Sequence, residues 1–409
     1  MATDIADRFE ALLFGGDADV NAFYRDARND APIFWSDAFN GWVVSKYDDA
    51  YRVLHDEEHF GPLSGGGGST VIHGRTILHM EGVEHRRKSA ILAKYLRSKP
   101  LLEGPQRDYV LELGAELLDA IGSEEVCDLR QAFAMPLPLR VTAWIMGIQE
   151  APNFSQMYDE IAAGGGQNMS GDAEVHALAV AARERLTDFV TPLIIERRAN
   201  PGDDLLSVLC STEYEGERLS DDEIRSFCSF LLAAGIETTD RGLSSLLKKL
   251  FSDPELWERL RSDRSLVPSA VAESIRWAPP VCALARGVLE ATELQGQKLE
   301  AGEKIVMLLA SANRDDDHWD QPEIYVIDRF AGNEEAQYGA RAKVLSFGHG
   351  RHLCTGSLLA RLEMIEGLHL LLDRFEGADF ADGVPPEQGF VFRSPEHLRV
   401  CPHTAGAGQ

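Results

Sequence analysis

The sequence predicts a mainly α-helical fold of many helices with a small β-rich portion, in a single domain over residues 1–409. Three observations predict it. Apolar residues recur at helical period through most of the chain, with only short strand-like runs. One stretch of about 30 residues, roughly 45 Å long as a helix, is apolar almost all round and so belongs in the core. No internal repeat and no long Pro- or Gly/Ser-rich linker divides the chain.

The N-terminal stretch MATDIADRFEALLFGGDADV has neither the basic nor the apolar region of a signal peptide. About the first 20 residues are expected to be flexible. Gly41-Trp42-Val43-Val44 reads as a short strand. Gly61-Pro62-Leu63-Ser64, followed by Gly65 to Gly68, reads as a mobile loop, and Gly164-Gly165-Gly166 breaks the region between two helical patterns. The long helix opens at Ser220, which with Glu223 fits a capping box, while Asp221 and Asp222 complement the helix N-terminus. Its apolar residues run through Ile224, Phe227, Phe230, Leu231 and Leu232, then resume at Leu243, Leu246, Leu247 and Leu250. Between them, Ala234-Gly235-Ile236-Glu237-Thr238-Thr239 places glycine and polar residues inside a buried helix, which a local opening at Gly235 would explain. Further strand-like pieces lie at Arg286 to Leu289 and near Phe390-Val391-Phe392, and a frayed tail is expected from Pro402.

Sixty-six acidic residues against 40 basic ones give a net charge of −26. An acidic surface repels nucleic acid and anionic membrane, so neither is expected as a partner. Cys127, Cys210, Cys228, Cys282, Cys354 and Cys401 are scattered with no CxxC pair. That indicates neither a zinc site nor a disulfide framework, and it fits the reducing cytoplasm. No apolar run reaches the ~18 residues of a transmembrane helix. The chain is expected to be a monomer.

The most informative segment is Phe347-Gly348-His349-Gly350-Arg351-His352-Leu353-Cys354-Thr355-Gly356, which runs directly into an apolar helix at Leu358, Leu359, Ala360, Leu362 and Ile365. It meets the needs of a thiolate ligand to haem iron. Backbone N–H groups and a helix N-terminus favour the deprotonated sulfur. Glycines let the chain approach a flat macrocycle. Phe347 can shield the sulfur from water, and a basic residue beside it can meet a propionate. The plainer alternative is a buried structural cysteine in a glycine-rich turn. A zinc site at His349, His352 and Cys354 lacks a fourth ligand at workable spacing.

This loop resembles the haem-binding signature of the cytochrome P450 family, F-G-x-G-x-H-x-C-x-G, at every fixed position. The resemblance implies a cytochrome P450-like multihelical fold with haem b buried between the long central helix and the cysteine loop. It implies Cys354 as the sulfur ligand to iron, Phe347 and Gly348 against the cofactor, and O2 as co-substrate. Glu273-Ser274-Ile275-Arg276, followed by Pro279-Pro280, resembles the family's E-x-x-R motif, and Pro322 to Arg329 resembles its meander. Arg329 would there join Glu273 and Arg276 in a buried network that fixes the cysteine loop. Ala234 to Thr239 resembles the family's A/G-G-x-D/E-T-T motif. That implies roles for Glu237 and Thr238 in delivering protons for O–O cleavage without bulk water flooding the site.

The two propionates require cations or donors, and the candidates are His352, Arg286 and His85. His85 opens a segment resembling the family's H-x-x-x-R helix, but the fifth position is Ser89, not arginine. Either Ser89 makes a weaker contact, or a neighbour such as Arg87 or Lys88 compensates. Glu84 to Lys99 contains Arg86, Arg87, Lys88, Lys94, Arg97 and Lys99 against one acid. By the resemblance this helix lies on the cysteine side of the haem, beside Arg341, Lys343 and Arg351. A small acidic electron carrier, a ferredoxin or flavodoxin-type protein, would be steered there.

The same resemblance places the substrate pocket among the 61–79 loop, the 157–182 region, the long helix, Val281 to Leu284 and Phe390 to Arg393. Those walls are mostly apolar, which suits a small apolar organic molecule. Arg393 is expected to pair with Glu396 at the surface. The reading is a monooxygenase acting by hydroxylation, epoxidation or O-demethylation. A peroxide-driven peroxygenase and a haem-bound sensor or carrier are the alternatives, and the Glu237–Thr238 pair argues against both.

Overall fold

The computed structural model describes residues 2–13, 19–63, 70, 72–97, 103–122, 125–148, 154–165 and 171–403. Helices dominate it. In chain order they include α1 (Ala2–Leu13), α2 (Val20–Asp30), α3 (Tyr47–His55), α4 (Gly82–Leu96), α5 (Pro105–Ile121), α6 (Pro136–Ile145) and α7 (Phe154–Gly164). There follow α8 (Ala173–Ala199), α9 (Leu205–Ser211), α10 (Asp221–Phe251), α11 (Pro254–Ser262), α12 (Val267–Trp277), the short α13 (Leu309–Ala312) and α14 (Ser357–Arg374).

Among the described residues the strands form four small sheets. The largest has the order β1 (Ile33–Ser36), β2 (Gly41–Val44), β8 (Lys304–Leu308), β5 (Ala283–Val288) and β3 (Phe60–Gly61). Only β2 and β8 run parallel in it. β4 (Cys127–Asp128), β12 (Arg399–His403) and β9 (Gly377–Phe380) form a second sheet. β6 (Thr292–Leu294) pairs with β7 (Gln297–Leu299), and β10 (Glu387–Gln388) with β11 (Ser394–Pro395). Gly41 to Val44 is the strand expected, and the strand expected at Arg286 starts three residues earlier, at Ala283. Phe390 to Phe392 is not a strand. Gly389, at φ +83°, turns the chain there, so these residues form a bend between β10 and β11, held by a bridge from Phe392 to Val281.

Helix α10 is 31 residues long. Its capping box is present: the Ser220 N–H donates to Glu223 Oε2 at 2.8 Å, and the Glu223 N–H to Ser220 Oγ at 3.3 Å. The opening expected at Gly235 is absent, and the helix continues unbroken through it. Packing explains the glycine instead: a Cβ there would lie 3.1 Å from Thr142 Oγ1 on α6.

Both chain ends depart from expectation. Residues 2–13 are helical rather than flexible, because Ile5 and Phe9, one turn apart, are buried. Phe9 packs on Phe23, Phe34 and Phe390. Pro402 and His403 are not frayed but continue β12, opposite Ala378 and Gly377. Residues 64–69 of the glycine loop, Gly166, Lys99 and the last six residues lie outside the described residues.

Candidate active site

The cysteine loop is built from short backbone bonds. The Cys354 N–H donates to the Phe347 carbonyl, and the Gly348 N–H to the Leu345 carbonyl, both at 2.9 Å. Gly348 and Gly350 both have φ +66°, where side chains are strained. A Cβ on Gly350 would also lie 2.5 Å from the Leu54 carbonyl oxygen of α3. His349 Nε2 donates to the Ala342 carbonyl at 3.1 Å, and its Nδ1 accepts from the Gly350 N–H. Phe347 packs against the Tyr338 ring, with centroids 5.4 Å apart.

Cys354 lies just before α14, whose N-cap is Gly356. Burial raises its thiol, while the Gly356 N–H, Arg97 and the Ser357 N–H pull it down. Yet the residue has substantial accessible surface. Both facts hold together if the sulfur faces a hollow enclosed by protein rather than open solvent.

Behind the loop, the expected ionic network is complete. Arg276 Nη2 lies 2.7 Å from Glu273 Oε1, and both side chains are 0% exposed. Arg329 Nε reaches Glu273 Oε2 at 3.0 Å. Arg276 also donates to the Asn313 carbonyl at 2.9 Å. The Asn313 amide in turn holds Ser346 Oγ at 2.8 Å and the Leu345 N–H at 2.9 Å. A buried pair is stable only when its remaining groups are satisfied. Here they are, and the chain of bonds ends at the residue preceding Phe347.

His85, His352 and Arg286 are brought together. The two imidazole rings lie 4.2 Å apart between centroids, tilted by 51° to one another. Burial, then Arg286, His85 and Arg351, push His352 down to about 3, and burial likewise lowers His85 and Arg286. His85 Nδ1 is buried without a hydrogen-bond partner, and no ion pair reaches Arg286 among the described residues. A partnerless buried imidazole nitrogen beside an arginine that no ion pair reaches suits an anionic group.

On α10, Leu231, Ala234, Gly235, Thr238 and Arg241 fall on one face and are partly accessible, although the helix is otherwise deeply buried. Glu237 is 4% exposed and is held by Arg241, whose Nη2 lies 3.0 Å from Oε1. Thr238 Oγ1 donates to the Ala234 carbonyl at 2.9 Å. Two contacts orient this face: Thr239 approaches Glu363, and a Cβ on Gly242 would lie 3.2 Å from Met364. The 281–284 and 390–393 segments lie side by side, with the Cys282 N–H donating to the Val391 carbonyl at 2.7 Å. Arg393 pairs with Glu387 at 3.3 Å, not with Glu396.

The expected basic face is largely neutralised. Arg86 pairs with Glu215, Arg87 with Glu215 and Glu217, and Lys88 with Glu223. Arg351 pairs with Glu57. The acids come from segments distant in sequence, so a local charge count does not see them. Lys94 and Arg341 are exposed and carry no ion pair among the described residues. Arg97 is half-buried and turned toward the cysteine loop, donating from Nη2 to the Cys354 carbonyl at 3.4 Å.

The family model for cytochrome P450 matches residues 173–401. The chain belongs to the cytochrome P450 family. A steroid C26-monooxygenase of Mycolicibacterium smegmatis is 30% identical over 379 residues, covering 91% of this chain and 90% of that protein. Pulcherriminic acid synthase of Bacillus subtilis is 28% identical over 386 residues, covering 93% and 94%. The crystal structure of CYP109E1 from Bacillus megaterium in complex with testosterone superposes with a TM-score of 0.81 at 28% identity, covering 93% of this chain and 98% of that one. Cytochromes P450 use haem b with O2 as co-substrate, and this one is an oxygen-incorporating oxidoreductase. Its residues fit that cofactor: the partnerless His85 Nδ1, the neighbouring His352 and Arg286, which no ion pair reaches among the described residues, suit two propionates, and Cys354 has accessible surface. Among the described residues no helix is long and apolar enough to cross a membrane.

Proposed function

We propose that this cytochrome P450 is a monooxygenase that inserts one oxygen atom of O2 into a small, mainly apolar organic substrate, with Cys354 as the sulfur ligand. The bound haem supplies the oxygen activation. The observation that carries the reading is Cys354, set before the N-terminus of α14, held by its N–H to the Phe347 carbonyl and left with accessible surface. His85, Arg286 and His352 hold the propionates, and Phe347 with Gly348 line the sulfur side. Glu237, anchored by Arg241, supplies protons to Thr238, whose hydroxyl must leave the Ala234 carbonyl to pass one on. The substrate lies against Leu231, Ala234, Val281 and Leu284. A relative that acts on steroids and a structural neighbour that holds testosterone support an apolar occupant. Electrons come from a ferredoxin or flavodoxin-type carrier docking near Lys94, Arg97 and Arg341.

The test is the optical spectrum of the dithionite-reduced, carbon monoxide-bound protein. A strongly red-shifted Soret band, lost in Cys354→Ala, is the expected result. A band typical of histidine-ligated haem in the wild type would overturn it. Apolar ligands that shift the oxidised haem from low to high spin then define the substrate class.

A further inference from the structure

We infer that Arg97 is the cation that this chain sets against the haem thiolate, a positioning residue that makes the haem easier to reduce. The inference rests on Cys354 being the iron ligand. It begins with Ser89, which stands where the family's helix carries arginine. The Ser89 hydroxyl makes only a 3.4 Å bond to the Arg86 carbonyl. The two neighbours placed to replace the missing charge are already taken. Arg87 is bound by Glu215 and Glu217, and Lys88 by Glu223 at 2.6 Å. Arg86, bound by Glu215, is no freer.

Arg97, the C-cap residue of α4, differs from all three. No carboxylate pairs with it among the described residues. Its Nη2 donates to the Cys354 carbonyl, and its Nε is buried with no hydrogen-bond partner. A full charge in a partly desolvated place acts strongly on whatever lies nearest, and what lies nearest is the Cys354 backbone. Reducing the haem adds one negative charge beside this guanidinium. The cation therefore favours the reduced state, and removing it disfavours that state. Arg86, Arg87 and Lys88, each facing a carboxylate, present little net charge to the same site.

The experiment compares haem-loaded wild type with Arg97→Gln, Arg97→Lys and Arg87→Gln by spectroelectrochemical titration. The reduced carbon monoxide spectrum of each is recorded alongside. Glutamine keeps a donor for the Cys354 carbonyl but removes the charge, and lysine keeps the charge. In Arg97→Gln the reduction equilibrium should fall about fivefold, about 40 mV more negative at 59 mV per tenfold for one electron. Arg97→Lys and Arg87→Gln should stay close to wild type. An unmoved potential in Arg97→Gln overturns the inference, and so does a shift in Arg97→Lys as large as that in Arg97→Gln. Absence of the red-shifted band from the wild type would instead overturn the assignment of Cys354. The two failures are therefore distinguishable.

Discussion

At Thr238 the hydroxyl is already committed, donating to the Ala234 carbonyl one turn back. A hydroxyl so placed is satisfied within the helix and is available when a better acceptor arrives. Thr238→Ala should therefore leave haem content and the carbon monoxide spectrum intact. The share of reducing equivalents released as hydrogen peroxide should rise several-fold. Measuring peroxide against product and reductant consumed checks this, and unchanged coupling would remove Thr238 from the proton path. Thr238, Glu237 and Cys354 could be picked out in the sequence because each breaks a local rule, a polar group in an apolar helix or a cysteine among glycines. Arg241 was also within reach, four residues after Glu237 on one helical face. Arg97 was not. Its partner is 257 positions away, and from sequence it looked like one more cation in a basic run.

Helix α14 carries a group that the oxygen chemistry does not use. Glu363 is 1% exposed and both its carboxyl oxygens are buried without a bond of good geometry, although Thr239 on α10 lies close enough to offset part of the cost. Burial raises this carboxyl to about 8 from an ordinary value of 4.5. The unfolded chain ionises at the ordinary value, so the folded state prefers the proton. The stability tied to that proton is complete below about 4.5 and is lost as pH rises through about 8. Glu363→Gln keeps the shape and cannot ionise. Its Tm relative to wild type should rise by a few degrees between about pH 6 and about pH 9. A difference that stays flat with pH would mean Glu363 finds a partner in solution. Elements as such were readable where a local signal was strong, as in the Ser220 capping box of α10 and the strand at Gly41. The bend at Phe390 was misread as a strand because its aromatic and β-branched residues are apolar to face a wall, not to pair. The N-terminal helix was missed because its reason is the distant aromatic cluster of Phe23, Phe34 and Phe390.

Over the whole molecule the net charge of −26 makes any exposed, unpaired cation conspicuous to an acidic carrier. The Ala342 carbonyl bonded to His349 places Arg341 beside the cysteine loop, and α4 brings Lys94 to the same side. A combined Lys94→Glu and Arg341→Glu protein should accept electrons from a ferredoxin about tenfold more slowly at low ionic strength. The gap should narrow as salt is added. Stopped-flow reduction under carbon monoxide measures it, and equal rates at low salt would move the docking face elsewhere. The sequence could reveal the family's architecture because the cofactor demands fixed motifs. It could not reveal which charges cancel, since ion pairs such as Arg87 with Glu217 join segments that only folding brings together. The same long reach governs how the protein can be made. Gly350 rests against the carbonyl of Leu54, and Arg351 meets Glu57. A ribosome working from the N-terminus releases α3 long before the segment that seats on it exists. The surface of α3 and the turn after it therefore wait, uncovered, for the last quarter of the chain. Capture of haem then belongs to the end of biosynthesis, where cofactor supply decides between maturation and degradation.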